Sequence, residues 1–170
     1  RKIIISLGGV FVLFNFLYFS NIFPPVPLSL THIGIYHSVL RTSNGNFRVS
    51  YEEPPWYKLF SKTDNIFTKT TEDKAYCFTS VYTPVKITTD VTHTWEYFDE
   101  KNKEWKVESL QTYGIIGGRY EGYRLYSSKS GLTEGKWRCS VENSRGALIG
   151  RITFEVKNSS IEPILKEGPI

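Results

Sequence analysis

The stretch GKWRCSVENSRGALIGRITFEV, residues 135–156, decides the fold. Apolar and polar side chains alternate through Trp137, Cys139 and Val141 and again through Ile152, Phe154 and Val156, which is the two-residue period of a half-buried strand. Between the two runs, Asn143-Ser144-Arg145-Gly146 carries turn chemistry, and Gly146 accepts a positive φ without a Cβ clash. A four-residue loop ending on Gly146 pairs Glu142 with Ala147, Val141 with Leu148 and Trp137 with Ile152. The six alternating apolar residues then share one face, and among the large apolar residues only Ile149 falls outward. The same register sets Arg138 opposite Arg151 on the outer face. Like charges so placed destabilise a hairpin, so a negative group is expected beside them: Glu96, another strand carboxylate, or a bound anion such as a lipid headgroup or a phosphorylated glycan.

Working outward, strand patterns recur at 75–82, 91–98, 105–113, 120–127, 136–142 and 147–156, with turn residues at 99–102, 117–118, 131–135 and 143–146. A spacing of about 10 to 15 residues is that of a sandwich or barrel and not of βαβ units. Tyr 11, Phe 11 and Trp 4, with almost no helix signal after Phe23, agree with an all-β body. Nearer the amino terminus, residues 33–41 and 47–52 flank Asn44-Gly45 as a hairpin, and Glu53-Pro54-Pro55 ends the second strand. Residues 61–73 show neither period and read as a loop. Cys77, Trp95 and Cys139 follow one another in the order that resembles the Cys, Trp, Cys layout of immunoglobulin-like sandwiches. The two cysteines are either a disulfide, which would close a loop of about 60 residues and stabilise by roughly 4 kcal/mol in the chain-entropy model, or two buried thiols packing as small hydrophobes. No CxxC and no Cys/His spacing argues for a metal, and no cofactor is implied.

The first residues read differently. From Ile3 to Phe23 there is no charged side chain, and Arg1-Lys2 stands immediately before. At about 1.5 Å per residue, some 21 residues reach about 31 Å, close to the hydrocarbon thickness of a bilayer. The run exceeds the roughly 7 to 15 residues of a signal-peptide core, and Ser20-Asn21-Ile22-Phe23-Pro24-Pro25 offers no small-x-small cleavage site. A transmembrane helix over 1–23 is therefore expected, with Asn15 as an amide at a helix interface and the basic flank on the cytoplasmic side. Because the chain starts with Arg and contains no Met, a processed or longer protein with further spans upstream is also expected. Prolines 24, 25 and 27 favour an extended exit, so the organisation reads as helix 1–23, extended linker, hairpin and loop 24–73, sandwich 74–157 and tail 158–170. The fold class is an all-β, immunoglobulin-like antiparallel β-sandwich preceded by one transmembrane helix.

Chemistry-bearing residues are few. The formal charge is +4, and two of those positive charges are Arg1 and Lys2, so no nucleic-acid groove is indicated. His93 shares a strand face with Val91, Trp95 and Tyr97 and reads as a hydrogen-bonded, half-buried histidine or as a general base. Ser127-Ser128 before Lys129 lacks the glycines of a nucleophile elbow. His32 and His37 lie in or just before the first hairpin, and Asn158-Ser159-Ser160 is formally a glycosylation acceptor.

Phe78-Thr79, Pro84-Val85, His93-x-Trp95, Arg124 to Lys129, Gly135-Lys136-Trp137-Arg138, Gly146 to Gly150 and Phe154-x-Val156 together resemble a bacterial domain of unknown function, numbered 2914. The likeness covers about residues 75–156, and its most specific parts are the Arg-x-x-Ser-Ser-Lys and Gly-Lys-Trp-Arg blocks. It implies a carboxy-terminal domain following membrane spans, and it carries no assigned activity. In that family the position held here by Cys139 looks usually aliphatic, so a Cys77–Cys139 bridge would not be a family feature. The reading is a membrane-anchored extracytoplasmic binding or interaction module of a bacterial cell, more a binder than an enzyme. Its partners would be membrane lipid, a cell-wall glycan or another membrane protein. Candidate ligand-binding residues are His93, Arg124, Lys129, Arg138 and Arg151. One alternative is a carbohydrate binder stacking sugars on Tyr120, Tyr123 and Tyr126, and the other is an enzyme built on His93, Arg124 and Lys129.

Overall fold

The computed structural model describes residues 2–19, 28–52, 66–70, 74–83, 88–116 and 122–170. One helix, α1 (Lys2–Phe19), precedes eleven strands: β1 (Ser29–Tyr36), β2 (Ser38–Arg41), β3 (Phe47–Glu52), β4 (Ile66–Lys69), β5 (Ala75–Tyr82), β6 (Thr88–Asp99), β7 (Glu104–Ile116), β8 (Tyr123–Lys129), β9 (Gly135–Asn143), β10 (Leu148–Asn158) and β11 (Leu165–Pro169). They form a three-stranded sheet β1-β5-β8, a five-stranded sheet β4-β10-β9-β6-β7 and a small sheet β11-β3-β2.

The first two sheets pack face to face. Alternation decides which side chains meet between them: Ala75 and Cys77 from β5, Trp95 from β6, Trp137 and Cys139 from β9, and Ile152, Phe154 and Val156 from β10 form the main core. At the other end Val81, Val91, Ile115 and Val141 continue it. The odd-numbered residues of β5 supply this layer, and the even-numbered Phe78 faces the opposite way into Tyr36, Val39, Phe47 and Val49. The small sheet therefore sits on the outer face of the three-stranded one, and β5 is covered on both sides. Cys77 and Cys139 are joined across the two main sheets, with 6.7 Å between their Cα atoms, and Trp95 stands beside Cys139 in the β6–β9 ladder. An inter-sheet disulfide with a tryptophan packed against it is the arrangement of an immunoglobulin-like sandwich.

Several details depart from the sequence reading. The closing hairpin pairs Leu148 with Glu142 and, after a bulge, Gly150 with Val141, Ile152 with Cys139 and Phe154 with Trp137. The register is two residues away from the expected one, and because side chains repeat every two residues the apolar face is unchanged. Arg138 lies opposite Thr153, and Arg151 opposite Ser140, so the expected Arg138–Arg151 pair does not form. The sandwich is not purely antiparallel, since β4 runs parallel to β10. β4 lies in the segment read as a loop and β11 in the segment read as a tail; each has five residues or fewer, too few to show a period. The strand expected over 33–41 is split at His37, where the chain passes from the three-stranded to the small sheet.

The helix is shorter than the expected membrane segment, whose last residues fall outside the described ones. Among the described residues no helix is long and apolar enough to cross a membrane. α1 has 18 residues, about 27 Å at the ordinary rise, against a hydrocarbon core of about 30 Å. Asn15 donates to the Phe11 carbonyl oxygen at 2.8 Å, so one of its amide hydrogens is used within the helix.

The Cys77–Cys139 bond closes a separation of 62 residues. Replacing both cysteines by alanine is expected to lower the unfolding free energy by about 4 kcal/mol, read from urea denaturation; a loss under about 1 kcal/mol would contradict this.

Candidate functional site

Two polar clusters stand out, one sealed between the sheets and one on the outer face of the five-stranded sheet, where Ser140 and Glu96 are themselves buried. The sealed one is centred on His93 of β6, which has 0% exposure. Alternation points its ring inward toward β5 and β8, where Thr79 and Ser127 also face the interior. Nε2 lies 3.0 Å from the Thr79 hydroxyl and Nδ1 lies 2.9 Å from the Ser127 hydroxyl. The indole Nε1 of Trp95 donates to Ser127 at 3.0 Å, and the Thr79 hydroxyl donates to the Leu125 carbonyl oxygen at 3.4 Å.

The donor count fixes the direction of this chain. An indole nitrogen only donates, so Ser127 accepts from Trp95 and turns its own proton to Nδ1 of His93. Nδ1 is then the acceptor, the ring proton sits on Nε2, and Nε2 donates to Thr79, which donates to Leu125. Every group is used once, and the imidazole is neutral. Burial pushes the His93 pKa down to about 4, because the charged ring would have to leave water. The Cys77 and Cys139 sulfurs and a His93 ring nitrogen lie within 4.8 Å of one another. Linear spacing gave no sign of this cluster, which the packing of three different strands creates. With the thiols bonded to each other and both ring nitrogens engaged, the trio offers no free ligand atom in this state.

The second cluster is on the outer face. Arg138 of β9 donates to Glu96 of β6 twice, from Nε at 2.6 Å and from an Nη at 2.7 Å, and its guanidinium lies 4.2 Å from the Trp105 ring centre. Ser140 donates to Glu96 at 2.9 Å and accepts from Nε of Arg151 at 2.8 Å. Burial acts to raise the Glu96 pKa, but the hydrogen bonds from Arg138 and Ser140 and the charges of Arg138 and Arg151 outweigh it and hold the carboxyl below its usual range. Glu96 was the partner foreseen for Arg138, although the geometry is a lateral β6–β9 neighbour and not relief of an Arg–Arg clash. Along β7 the same face exposes Val107, Leu110 and Ile116.

The other candidate residues do not converge. Arg124 and Ser127 lie on opposite faces of β8, and Arg124 reaches Asn46 at 3.4 Å over the outer face of the three-stranded sheet. Lys129 sits at the inner rim, 4.0 Å from Glu108 and 6.0 Å from the Trp137 ring centre. His93, Arg124 and Lys129 therefore share no common space. Tyr126 is exposed beside Phe47 and Tyr76, whereas Tyr123 packs into the inner layer, and Tyr120 lies outside the described residues. One cluster escaped the sequence reading altogether: Glu52 accepts from His37 at 2.9 Å and from both the backbone and the hydroxyl of Thr68, tying the small sheet to β4. Its only sequence signal was the polar Glu52 ending an alternating strand.

Residues 88–156 match the family described as a protein of unknown function, DUF2914. No curated protein matches the chain. Among solved structures, a Pseudomonas fluorescens alkylpurine DNA glycosylase, AlkC, bound to DNA containing an abasic site analogue is similar at 10% identity, covering 83% of this chain and 33% of that one, with a TM-score of 0.41. A Listeria innocua beta-glucosidase is similar at 6% identity over 58% of this chain and 15% of that one, with a TM-score of 0.38. An immunoglobulin-like protein from Pseudomonas aeruginosa is similar at 10% identity over 64% of this chain and 96% of that one, with a TM-score of 0.33. The chain spans a third or less of the length of the first two, and scores this low transfer no activity.

The sealed histidine gives stability a definite pH dependence. The folded pKa, about 4, lies below the ordinary value of 6.5, so between those limits the unfolded chain binds more protons and stability falls as pH falls. The expected loss is complete near pH 4 and amounts to about 3 kcal/mol; above pH 6.5 the contribution is whole. Glu52 and Glu96, with lowered pKa values, add their own loss only further into acid. Urea midpoints taken from pH 7 to pH 4.5 should fall for the native chain and stay nearly flat for His93→Gln; equal slopes would overturn the assignment.

Proposed function

We propose that the chain is a membrane-anchored extracytoplasmic interaction module, in which α1 seats in lipid and the sandwich presents the outer face of its five-stranded sheet. The observation that carries this reading is α1 itself. Its apolar side chains are exposed all round, from Ile3 at 82% to Phe19 at 78%, and only Lys2 is charged. A helix with no polar face to turn toward water cannot lie at an interface as an amphipathic one does, and it is stable only when immersed in an apolar phase. α1 alone is too short to cross, but the uncharged run of sequence continues to Phe23, and the whole of that run is the proposed anchor, with Lys2 in the headgroup region and the amino terminus on the cytoplasmic side.

The Cys77–Cys139 bond supports the extracytoplasmic side, because disulfides form and persist in oxidising compartments. Binding is favoured over catalysis by the placement of His93: no substrate reaches a ring with 0% exposure, and both its nitrogens serve the sheet interface. Arg138 is committed to Glu96, and Arg151 on the same face bonds Ser140 and is exposed. A partner protein with apolar and acidic groups suits the mixture of Val107, Leu110, Ile116 and Arg151 better than a glycan does.

The anchor is tested by flotation of the full chain with phosphatidylcholine vesicles. The native chain is expected to float with the vesicles. Val10→Asp with Leu13→Asp, both exposed on α1, should leave it at the bottom of the gradient while the sandwich keeps its circular dichroism. Flotation that survives both aspartates, or a native chain that stays monodisperse without lipid or detergent, would refute the anchor.

A further inference from the structure

Sheet edges expose unpaired backbone groups, and of the six described edge strands four, β8, β2, β4 and β11, are covered or short, while β1 packs beside β10 and β3. The free edge of β8 has its Tyr126 and Ser128 carbonyl oxygens covered by the Tyr113 hydroxyl and the Gln111 amide, each at 2.8 Å. β2 and β4 have four residues each, and β11 ends on Gly168-Pro169. Short strands, prolines and side-chain covers are the ordinary defences of an edge. β7 is different. It has 13 residues, it ends the five-stranded sheet, and no described strand pairs with its outer side.

Its two halves are built in opposite ways. The first half carries Glu104, Lys106 and Glu108, with Glu108 as the extra residue of a bulge opposite Trp95 and Glu96, and such charges and bulges repel an incoming strand. The second half, Ser109 to Ile116, has no charge and no proline. It is also held rigid: Ile115 is fully buried, and Gln111 and Tyr113 are fastened to β8 by the same bonds that cover that edge. Leu110 and Ile116 are nevertheless 62% and 71% exposed. Gly114 lacks a reason among the described residues, of which an added Cβ would meet only Asp90 Oδ1 at 3.6 Å, an ordinary contact. A glycine inside a strand often marks the close approach of another backbone.

We propose that the occupant of this edge is a second copy of the same chain, the two β7 strands pairing antiparallel about a two-fold axis at Thr112 so that the five-stranded sheets of both copies become one. The sequence is self-complementary in that register. Thr112 meets Thr112, a favourable cross-strand pair, and Leu110 lies opposite Gly114, which leaves it room. A two-fold contact needs one such patch on each copy and closes on itself. An unrelated strand would need none of these matches. The inference does not depend on the lipid anchor.

The test uses the full chain in detergent micelles. Sedimentation should show a protein dimer, and Thr112→Cys should cross-link to itself on mild oxidation, because only the residue on the axis has its own copy within about 5 Å. Leu110→Cys, four residues out of step with its copy and so about 14 Å away, should not cross-link with itself but should cross-link when mixed with Gly114→Cys. Thr112→Lys, an exposed position where two like charges would meet, should abolish the dimer, while Thr153→Lys on the same face but away from the edge should retain it. A monomeric native chain overturns the proposal. So does a dimer that survives Thr112→Lys and gives no cross-link at position 112, which would place the contact in α1 or elsewhere.

Discussion

The polar groups between the two main sheets are closed off from solvent, and the rest of the structure depends on how that constraint is met. Among the described residues the Cys77–Cys139 bond and a directed chain of hydrogen bonds, Trp95 through Ser127, His93 and Thr79 to Leu125, cross the gap at its centre, and Gln111 and Tyr113 of β7 bond β8 at its edge. Each donor in the chain has one acceptor. A buried polar network is stabilising only when it is complete, and an orphaned member would cost roughly 1 to 3 kcal/mol. A neutral histidine accepts on one side and donates on the other across this distance, so the network specifies its tautomer.

With the interior closed in this way, the remaining ordered polar groups lie on the surfaces. The outer face of the five-stranded sheet holds Glu96, Arg138, Ser140 and Arg151 in one hydrogen-bonded array under Trp105, so these charges are positioned and do not move freely. The inner residues of β7 fasten it to β8, which fixes the position of the outer edge beyond it. Rigidity in the core thus passes to the edge, where a stationary row of backbone groups suits strand addition better than a mobile one does. The exposed helix at the amino terminus obeys the opposite rule, having little beyond Lys2, Ser6 and Asn15 to offer water.

How much of this was legible depended on the length of the pattern and on whether partners were near in sequence. The alternation of 137–141 and 152–156 gave the correct faces even though the register slipped by two, because a period of two is blind to even shifts. The order Cys77, Trp95, Cys139 indicated the sandwich, and the structure resolved its open question in favour of the bond. The Glu96–Arg138 pair was reachable from charge alone. By contrast, Thr79 and Ser127 gave no sign of serving His93, since a hydroxyl on an inward face looks the same whether or not a histidine from another sheet lies above it. The four residues of β4 and the Leu165 to Pro169 segment were too short to show a period, and what places them is pairing with β10 and β3. His37, Glu52 and Thr68 meet because three strands converge, which no linear spacing records.

The most direct test of the sealed network is the protonation state of His93 in the folded chain. A long-range proton–nitrogen correlation spectrum of histidine-labelled protein in detergent micelles should show its proton on Nε2 at pH 7 and the same neutral ring at pH 5, as a pKa of about 4 requires. A proton on Nδ1, or an imidazolium already present at pH 6, would mean that Ser127 and Thr79 do not hold the ring as described and that the two sheets are joined in some other way.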